Sequence, residues 1–483
     1  MESILFLSMI LLPAVGGITL AFLNPKEAKT RERLIMGVTL VTSAIALWTL
    51  WGAQTGTVTL MTLGDKLSLA LRVDGLSKVF GTLVAILWPV TTLYSFEYMT
   101  HEGGENRFFS FFTATYGVVL GIALSENLLT LYLFYELMTF ITLPLVMHAM
   151  DDRARHAGRT YILYSMTGAA LAFAGLMVVY NLGDTLSFTY GGIMQGQDPL
   201  VLWGYVLCFF GFGVKAAVFP FHGWLPAASV APTPVSALLH AVAVVKGGVF
   251  AIMRVTYFVF GTGILAGTLA QYIPMAAVLV TIVYGSFRAL TMVHLKRRLA
   301  YSTISQLSYI LLGVVVMSPL GFLAAITHLV FHAVMKICLF FGAGAILYKT
   351  HKEYLFEMDG LAKIMPKTVA AYSVCAFALS GIPPLMGFVS KWRLVAAVAE
   401  GPDLWRLAAL GALLASAILT VCYMLLPMGK FYATPLKNAA EKNAEPNYRM
   451  TAPMIGLAAC AVLGGIFASP LCDFFLKVAT GQL

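Results

Sequence analysis

Apolar runs of about 20 residues recur along the whole chain, near 3–23, 34–52, 76–98, 108–124, 127–148, 160–180, 200–219, 235–259, 275–293, 302–317, 320–348, 368–399, 405–427 and 451–476. As a helix, each is long enough to cross a hydrocarbon core of roughly 30 Å. In lipid the backbone must satisfy its polar groups internally. The pattern therefore predicts an all-α, polytopic membrane protein of about 14 transmembrane helices. Hydrophobic residues make up 59% of the 483 and charged residues 11%, with a mean hydropathy of +0.84, outside the range of a soluble domain. The run at 3–23 has neither a preceding basic residue nor a following small-residue cleavage site, so it reads as a retained span.

Lysine and arginine are distributed unevenly between alternate loops. Lys26, Lys29, Arg31, Arg33, Arg107, Arg153, Arg155, Arg159, Lys296, Arg297, Arg298, Lys349, Lys352, Lys363, Lys367, Lys430, Lys437, Lys442 and Arg449 fall on one side when the runs are threaded as spans. Loops 181–199 and 260–274 on the other side carry none, and 53–75 carries only Lys66 and Arg72. The basic side is expected to be cytoplasmic, in a cell (inner) membrane, with both termini outside. This asymmetry accounts for the net charge of +9, and no nucleic-acid partner is expected. Segment 57–73 alternates apolar and polar residues between turn signals and predicts an external, structural β-hairpin.

Six cysteines are scattered without CxxC spacing, so neither a metal nor a cofactor is expected. With no dinucleotide fingerprint and no phosphate-binding loop motif, any driving energy must come from a partner or an ion gradient.

Charged side chains inside the apolar runs are costly and point to function. Residues 213–254 set Lys215, His222, His240 and Lys246 around a linker with Pro220, Pro226, Pro232 and Pro234, which reads as a helix interrupted at membrane depth. Glu136 lies mid-span in the fifth run and is expected to pair with Lys215, which is flanked by Gly211, Gly213, Ala216 and Ala217. Desolvation opposes the lysine's charge and a nearby carboxylate supports it, so a moving partner would switch the site between charged and neutral. Glu126, at the outer end of the same run, reads as a solvated interfacial residue. His240 and Lys246 are six residues apart, about 240° on a regular helix. They cannot face one neighbour unless the helix is distorted, and the expectation is that one faces Lys215 and the other later helices. His222 serves helix capping or loop hydrogen bonding as readily as proton transfer.

His328, His332 and Lys336 recur at i, i+4 and i+8 on one face of the eleventh span. Without a third acidic or cysteine ligand nearby in sequence, a proton relay is favoured over a metal. Lys296, Arg297 and Arg298 at the edge of the tenth span read as membrane anchors or partner contacts. The twelfth span is interrupted by Gly381, Pro383, Pro384 and Gly387 and then carries Lys391, Trp392 and Arg393. Arg393 reads as an interfacial anchor, and Lys391 is open between an exit site and outward snorkelling. Two interrupted spans five helices apart suggest two inverted five-helix repeats, spans 4–8 and 9–13, each with a broken helix. The expected organisation is spans 1–3 with the hairpin at 1–107, the repeats at 108–260 and 261–427, and a cytoplasmic loop with a last span at 428–483.

The runs KAAVFPFHGWLPAASVAPTPVSALLHAVAVVKGGVFAIMR, LKRRLAYSTISQLSYILLG, HLVFHAVMKICLFF and SGIPPLMGFVSK closely resemble the antiporter-like subunits of respiratory complex I. The same family includes the large subunits of Mrp Na⁺/H⁺ antiporters and of membrane-bound, energy-converting hydrogenases. The resemblance covers spans 4 to 13. It implies a glutamate–lysine pair at Glu136 and Lys215, connecting residues in span eight, a central lysine or histidines in span eleven, and an exit lysine at Lys391. Many members carry either the histidine or the lysine in span eight, whereas this chain has both His240 and Lys246. It ends soon after span fourteen, without room for the long lateral helix of the largest complex I subunit, and reads as a compact member.

The function expected is a proton-translocating, non-redox subunit of a multi-subunit membrane complex. Protons would pass from a cytoplasmic half-channel near Lys215, across His240 and Lys246 to His328, His332 and Lys336, and out past Lys391. Expected partners are other membrane subunits, with a peripheral redox arm in some parent complexes. Na⁺/H⁺ antiport is the alternative within transport, although Glu136 is essentially the only embedded carboxylate. A quinone- or haem-binding redox subunit is the alternative of another class, but His328 and His332 lie too close on one helix to be opposing axial ligands.

Overall fold

The computed structural model describes residues 2–52, 56–401, 403–433 and 444–483. Lys437 and Lys442 of the predicted cytoplasmic loop lie outside the described residues. Helices α1 (Glu2–Leu23) and α2 (Ala28–Trp51) precede a hairpin of β1 (Val58–Thr62) and β2 (Ser68–Leu71). Its strands pair antiparallel, Val58 opposite Leu71 and Thr62 opposite Ser68, with a bulge between Thr59 and Met61. The hairpin is tied to the chain farther on, because Arg72 N donates to Leu124 O at 2.8 Å and Glu126 N to Ala70 O at 3.1 Å.

Next come α3 (Gly75–Glu102), α4 (Glu105–Leu124), α5 (Leu128–Val146) and α6 (Asp152–Leu182). Asp74, Asn127 and Asp151 start α3, α5 and α6 by accepting from the otherwise unpaired N–H groups of Ser77, Thr130 and Ala154. After α7 (Pro199–Gly213) the chain runs through turns to the short α8 (Trp224–Ala227), a 3-10 turn and α9 (Thr233–Ala241). α10 (Val244–Arg254) then continues as a π-helix over Val255–Phe260.

The run predicted as one span at 235–259 is thus broken in the middle. Val242 N and Ala243 N both donate to Leu238 O, at 3.0 and 2.8 Å, so the regular i→i−4 ladder stops there and restarts after Ala243.

The second half contains α11 (Thr262–Leu265), α12 (Leu269–Thr291), α13 (Leu295–Val315), α14 (Pro319–Thr350), α15 (Leu361–Ile364), α16 (Pro366–Ser380), α17 (Met386–Val398) and α18 (Leu404–Ala433). α19 (Tyr448–Ile466) and α20 (Ala468–Ala479) close the chain. One last span was predicted at 451–476, but the structure divides it at Phe467. Pro470 has no N–H to return to the Ile466 carbonyl, which weakens the helix at this point.

Of the residues expected to break helices, Pro220, Pro383 and Pro384 lie in turns, and Gly381 ends α16 with φ +89°. Pro226, Pro232 and Pro234 do not act this way. Pro226 is inside α8, and Pro232 caps α9 with Pro234 in its first turn, where a missing N–H is tolerated. Gly387 is the second residue of α17, and a Cβ there would meet Ala378 O at 1.8 Å. It is a site of close approach between the two halves of a broken helix.

Eleven helices among the described residues are long and apolar enough to cross a membrane. Thr233–Phe260 is buried throughout, and α4 and α14 nearly so, while α1, α2, α6 and α18 face outward along most of their length. α14, with 32 residues, is about 48 Å long and stands at the centre of the molecule. The apolar stretches that carry His240, Lys246, His328, His332 and Lys336 have therefore become innermost helices.

Candidate functional site

α14 presents one side chain per turn toward its neighbours at 328, 332, 336 and 340. His328 Nδ1 and Ser390 Oγ of α17 are 2.9 Å apart. His332 Nδ1 lies 2.7 Å from Lys246 Nζ of α10. Lys336 Nζ donates to Ser302 Oγ of α13 at 2.8 Å. Phe340 stacks on the His240 ring of α9 with centroids 4.8 Å apart. The two histidines of α14 lie with ring centroids 5.8 Å apart and planes at 23°.

Lys215, His240, Lys246, His332 and Lys336 are 0% exposed and His328 is 1% exposed. Water at the surface solvates none of them, so their proton balance is set by one another and by the protein. At 2.7 Å, Lys246 and His332 can share one proton but cannot both be cationic. Two such charges would repel by about 6 kcal/mol at an effective dielectric of ~20. His240 Nδ1 and Nε2, His328 Nε2 and His332 Nε2 are buried without hydrogen-bond partners, which leaves the far side of each ring free to pass a proton on.

The break in the eighth span explains how both of its basic residues meet one helix. It rotates α9 against α10, so that His240 and Lys246 both face α14, and neither one turns to Lys215 as expected. Gly248 allows the preceding turn to approach α10, since a Cβ there would meet Ala216 N at 2.7 Å.

Lys215 itself sits in the turn after α7. Its ammonium donates to the carbonyl oxygen of Tyr135 and lies 3.4 Å from the centroid of that residue's ring. Glu136, next in sequence, is near but not ion-paired with it, and Glu136 Oε1 is buried without a partner. The predicted pair is thus brought together as neighbours and separated by a backbone carbonyl.

Lys391 turns back across its helix break instead of snorkelling. Nζ donates to Leu379 O at 2.6 Å, one of the carbonyls that the end of α16 leaves unsatisfied. It also lies 5.5 Å from the Tyr309 ring centroid, and Tyr309 in turn stacks on His328 at 5.7 Å. His222 is in the turn before α8, its ring 4.8 Å from that of Tyr284, away from this row.

Three surface readings are corrected. Glu126 is 5% exposed, because the hairpin and loop 183–198 cover it. Its carboxylate accepts from Ser187 Oγ and Asn127 Nδ2, each at 3.3 Å, and lies 3.7 Å from Arg72. Lys296 and Arg298 are also buried. Lys296 donates to Ala231 O at 2.9 Å, and Arg298 donates to Tyr423 O at 2.9 Å and Met292 O at 2.8 Å. Both tie loops and helix ends together from inside.

Sequence reasoning missed Arg254. It is 1% exposed and forks onto Asp74, with Nη1–Oδ2 at 2.5 Å and Nη2–Oδ1 at 2.8 Å. Burial pushes the Asp74 carboxyl up, and the Arg254 guanidinium together with Ser77 more than offsets this, leaving its pKa lowered to about 2. The available signal was a basic residue at the end of the run that should face the side poor in Lys and Arg.

Ionisable side chains threaded through the buried helices of a polytopic fold define a class of membrane proteins with a charged interior. Similarity to known proteins specifies it further. A family model described as NADH:quinone oxidoreductase/Mrp antiporter, TM matches residues 125–420. A second, for the N-terminus of chain 5 of NADH-ubiquinone oxidoreductase (complex I), matches residues 60–109.

The chain is 34% identical over 419 residues to the A/B component of a probable K⁺/H⁺ antiporter of Rhizobium meliloti, covering 84% of this chain and 41% of that one. It is 31% identical over 409 residues to NAD(P)H-quinone oxidoreductase chain 4 3 of Picosynechococcus sp., covering 81% and 72%. Hydrogenase-4 component B of Escherichia coli is 30% identical over 443 residues, covering 85% and 64%. The chain thus spans less than two thirds of the length of the Rhizobium and Escherichia relatives. In fold it is similar to a chain of the Mrp complex from Dietzia sp. DQ12-45-1b, with a TM-score of 0.85 at 22% identity, covering 99% of this chain and 97% of that one. This chain belongs to the antiporter-like membrane subunit family of NADH:quinone oxidoreductases and Mrp antiporters.

Proposed function

We propose that this chain is a proton-translocating subunit of a multi-subunit membrane complex, moving H⁺ along a row of Glu, Lys and His at mid-membrane. The observation that carries this reading is the Lys246–His332 contact of 2.7 Å. It joins two half-chains of ionisable groups 86 residues apart in sequence inside wholly buried helices. A proton received near Glu136 and Lys215 passes by way of His240 and Lys246 to His332, moves along α14 through His328 and Lys336, and leaves by way of Lys391.

Three further segments complete fourteen spans in this reading: α7 with the turns after it, α13, and α16 with α17. Spans 4–8 and 9–13 form two inverted repeats, 108–260 and 261–427, flanked by 1–107 and 428–483. The basic loops face the cytoplasm of a cell membrane and both termini face outward. The partners are further membrane subunits, joined by a peripheral redox arm where electron transfer supplies the energy. Na⁺ or K⁺, named in relatives' descriptions, crosses outside this chain, because Glu126 is already engaged by Ser187 and Arg72 and Glu136 alone offers too few oxygen ligands, with no cluster of three or more acidic, His or Cys residues among the described residues.

The test is Lys215→Ala in the intact parent complex reconstituted in vesicles. Proton translocation is expected to fall about a hundredfold, and undiminished translocation with assembly intact would remove Lys215 from the path.

A further inference from the structure

We propose that Gln306 is a positioning residue for proton passage between Lys336 and Lys391, holding a water between them. This rests on the proton-translocating reading above. Ser302, Gln306 and Tyr309 recur at i, i+4 and i+7, on one face of α13 and over a rise of about 10 Å.

The first of them accepts from Lys336 Nζ at 2.8 Å. The last lies 5.5 Å from Lys391 Nζ and 5.7 Å from the His328 ring. Gln306 stands between, 0% exposed, with neither amide atom in hydrogen-bond contact and the Tyr423 hydroxyl as its polar neighbour.

Polar residues in membrane helices commonly serve as glue between helices, but glue requires a partner. Burying an amide with neither atom bonded is costly relative to an apolar side chain of the same shape. A site that keeps this cost is suited to a polar guest. The amide can accept from a water with its oxygen and donate to it with its nitrogen, which is the pairing that orients one molecule in a fixed direction. Lys336 gives its proton to that water, a different proton leaves the water toward Lys391, and the amide is unchanged. Ser302 and Tyr423, 3.1 Å apart through their hydroxyls, hold the Lys336 end in place.

The experiment compares Gln306→Met and Gln306→His with wild type in native membrane vesicles containing the whole complex, following acidification of the lumen. Met keeps the shape and His keeps both hydrogen-bonding roles. Proton translocation is expected to fall at least tenfold in the Met variant and to remain near wild type in the His variant. A fully active Met variant, or equal loss in both with assembly intact, overturns the proposal. Should Gln306→Met not assemble, Gln306→Glu decides. A carboxylate facing Lys336, Lys391, His328, Tyr309 and Tyr423 is expected to shift the pH of half-maximal translocation, and an unshifted profile overturns the proposal. Lys215→Ala run in parallel separates the two readings. If it is inactive while Gln306→Met is active, this inference alone fails.

Discussion

Asp74 and Arg254 meet near one end of the buried helices, and their contact makes a prediction at the scale of single residues. A group whose folded pKa is depressed stabilises the protein above its unfolded pKa and loses that contribution as pH falls through the folded value. For Asp74 the window runs from about 4, the unfolded carboxylate value, down to about 2. Asp74→Asn should lower stability by roughly 3 kcal/mol at pH 7, since Arg254 is left buried and unpaired, and should remove the acid sensitivity between those values. Thermal unfolding in detergent across pH would show it, and an unchanged melting temperature at pH 7 would mean that the pair contributes no net stability. None of this was legible in the sequence, because the two residues are 180 positions apart and a buried pairing depends on which loops fold over them. Lys215, His328, His332 and Lys336 were legible, because a charge inside an apolar run costs too much to persist without a role. Gln306 was not, since a neutral amide in the same setting serves equally well to bond one helix to the next.

Helix interruptions determine where the ionisable groups point. Gly381 and the prolines after it announced the break before Lys391, whereas the break at Val242–Ala243 has no glycine or proline to mark it. A run of Ala and Val reads as continuous helix, and only packing between α9, α10 and α14 shows that it is not. That missed break is why His240 and Lys246 were expected to face different helices. The second broken helix gives the prediction at this scale. Gly387→Ala would place a methyl 1.8 Å from Ala378 O, forcing α16 and α17 apart and moving Ser390 and Lys391 away from His328 and Leu379 O. The expected result is reduced assembly, or a complex that assembles with translocation lowered at least about tenfold. Normal assembly and rate would show that the two half-helices are free to shift without consequence.

Over the whole molecule, fourteen apolar runs were read as spans, and eleven helices among the described residues meet the length and hydropathy that a crossing requires. The shortfall lies where function does. Breaks shorten α7, α16 and α17, and the polar face of α13 lowers its hydropathy. The outer helices carry the apolar surface, and the inner ones carry the charge. In the proposed path, proton translocation depends on the crossing from α10 to α14 at Lys246 and His332, the link between the two halves of the row. The most direct measurement is lumen acidification by vesicles carrying the complete complex with Lys246→Met, a side chain of similar length without the amine. The account predicts a fall of about a hundredfold or more with the complex fully assembled. Acidification at the wild-type rate would contradict it.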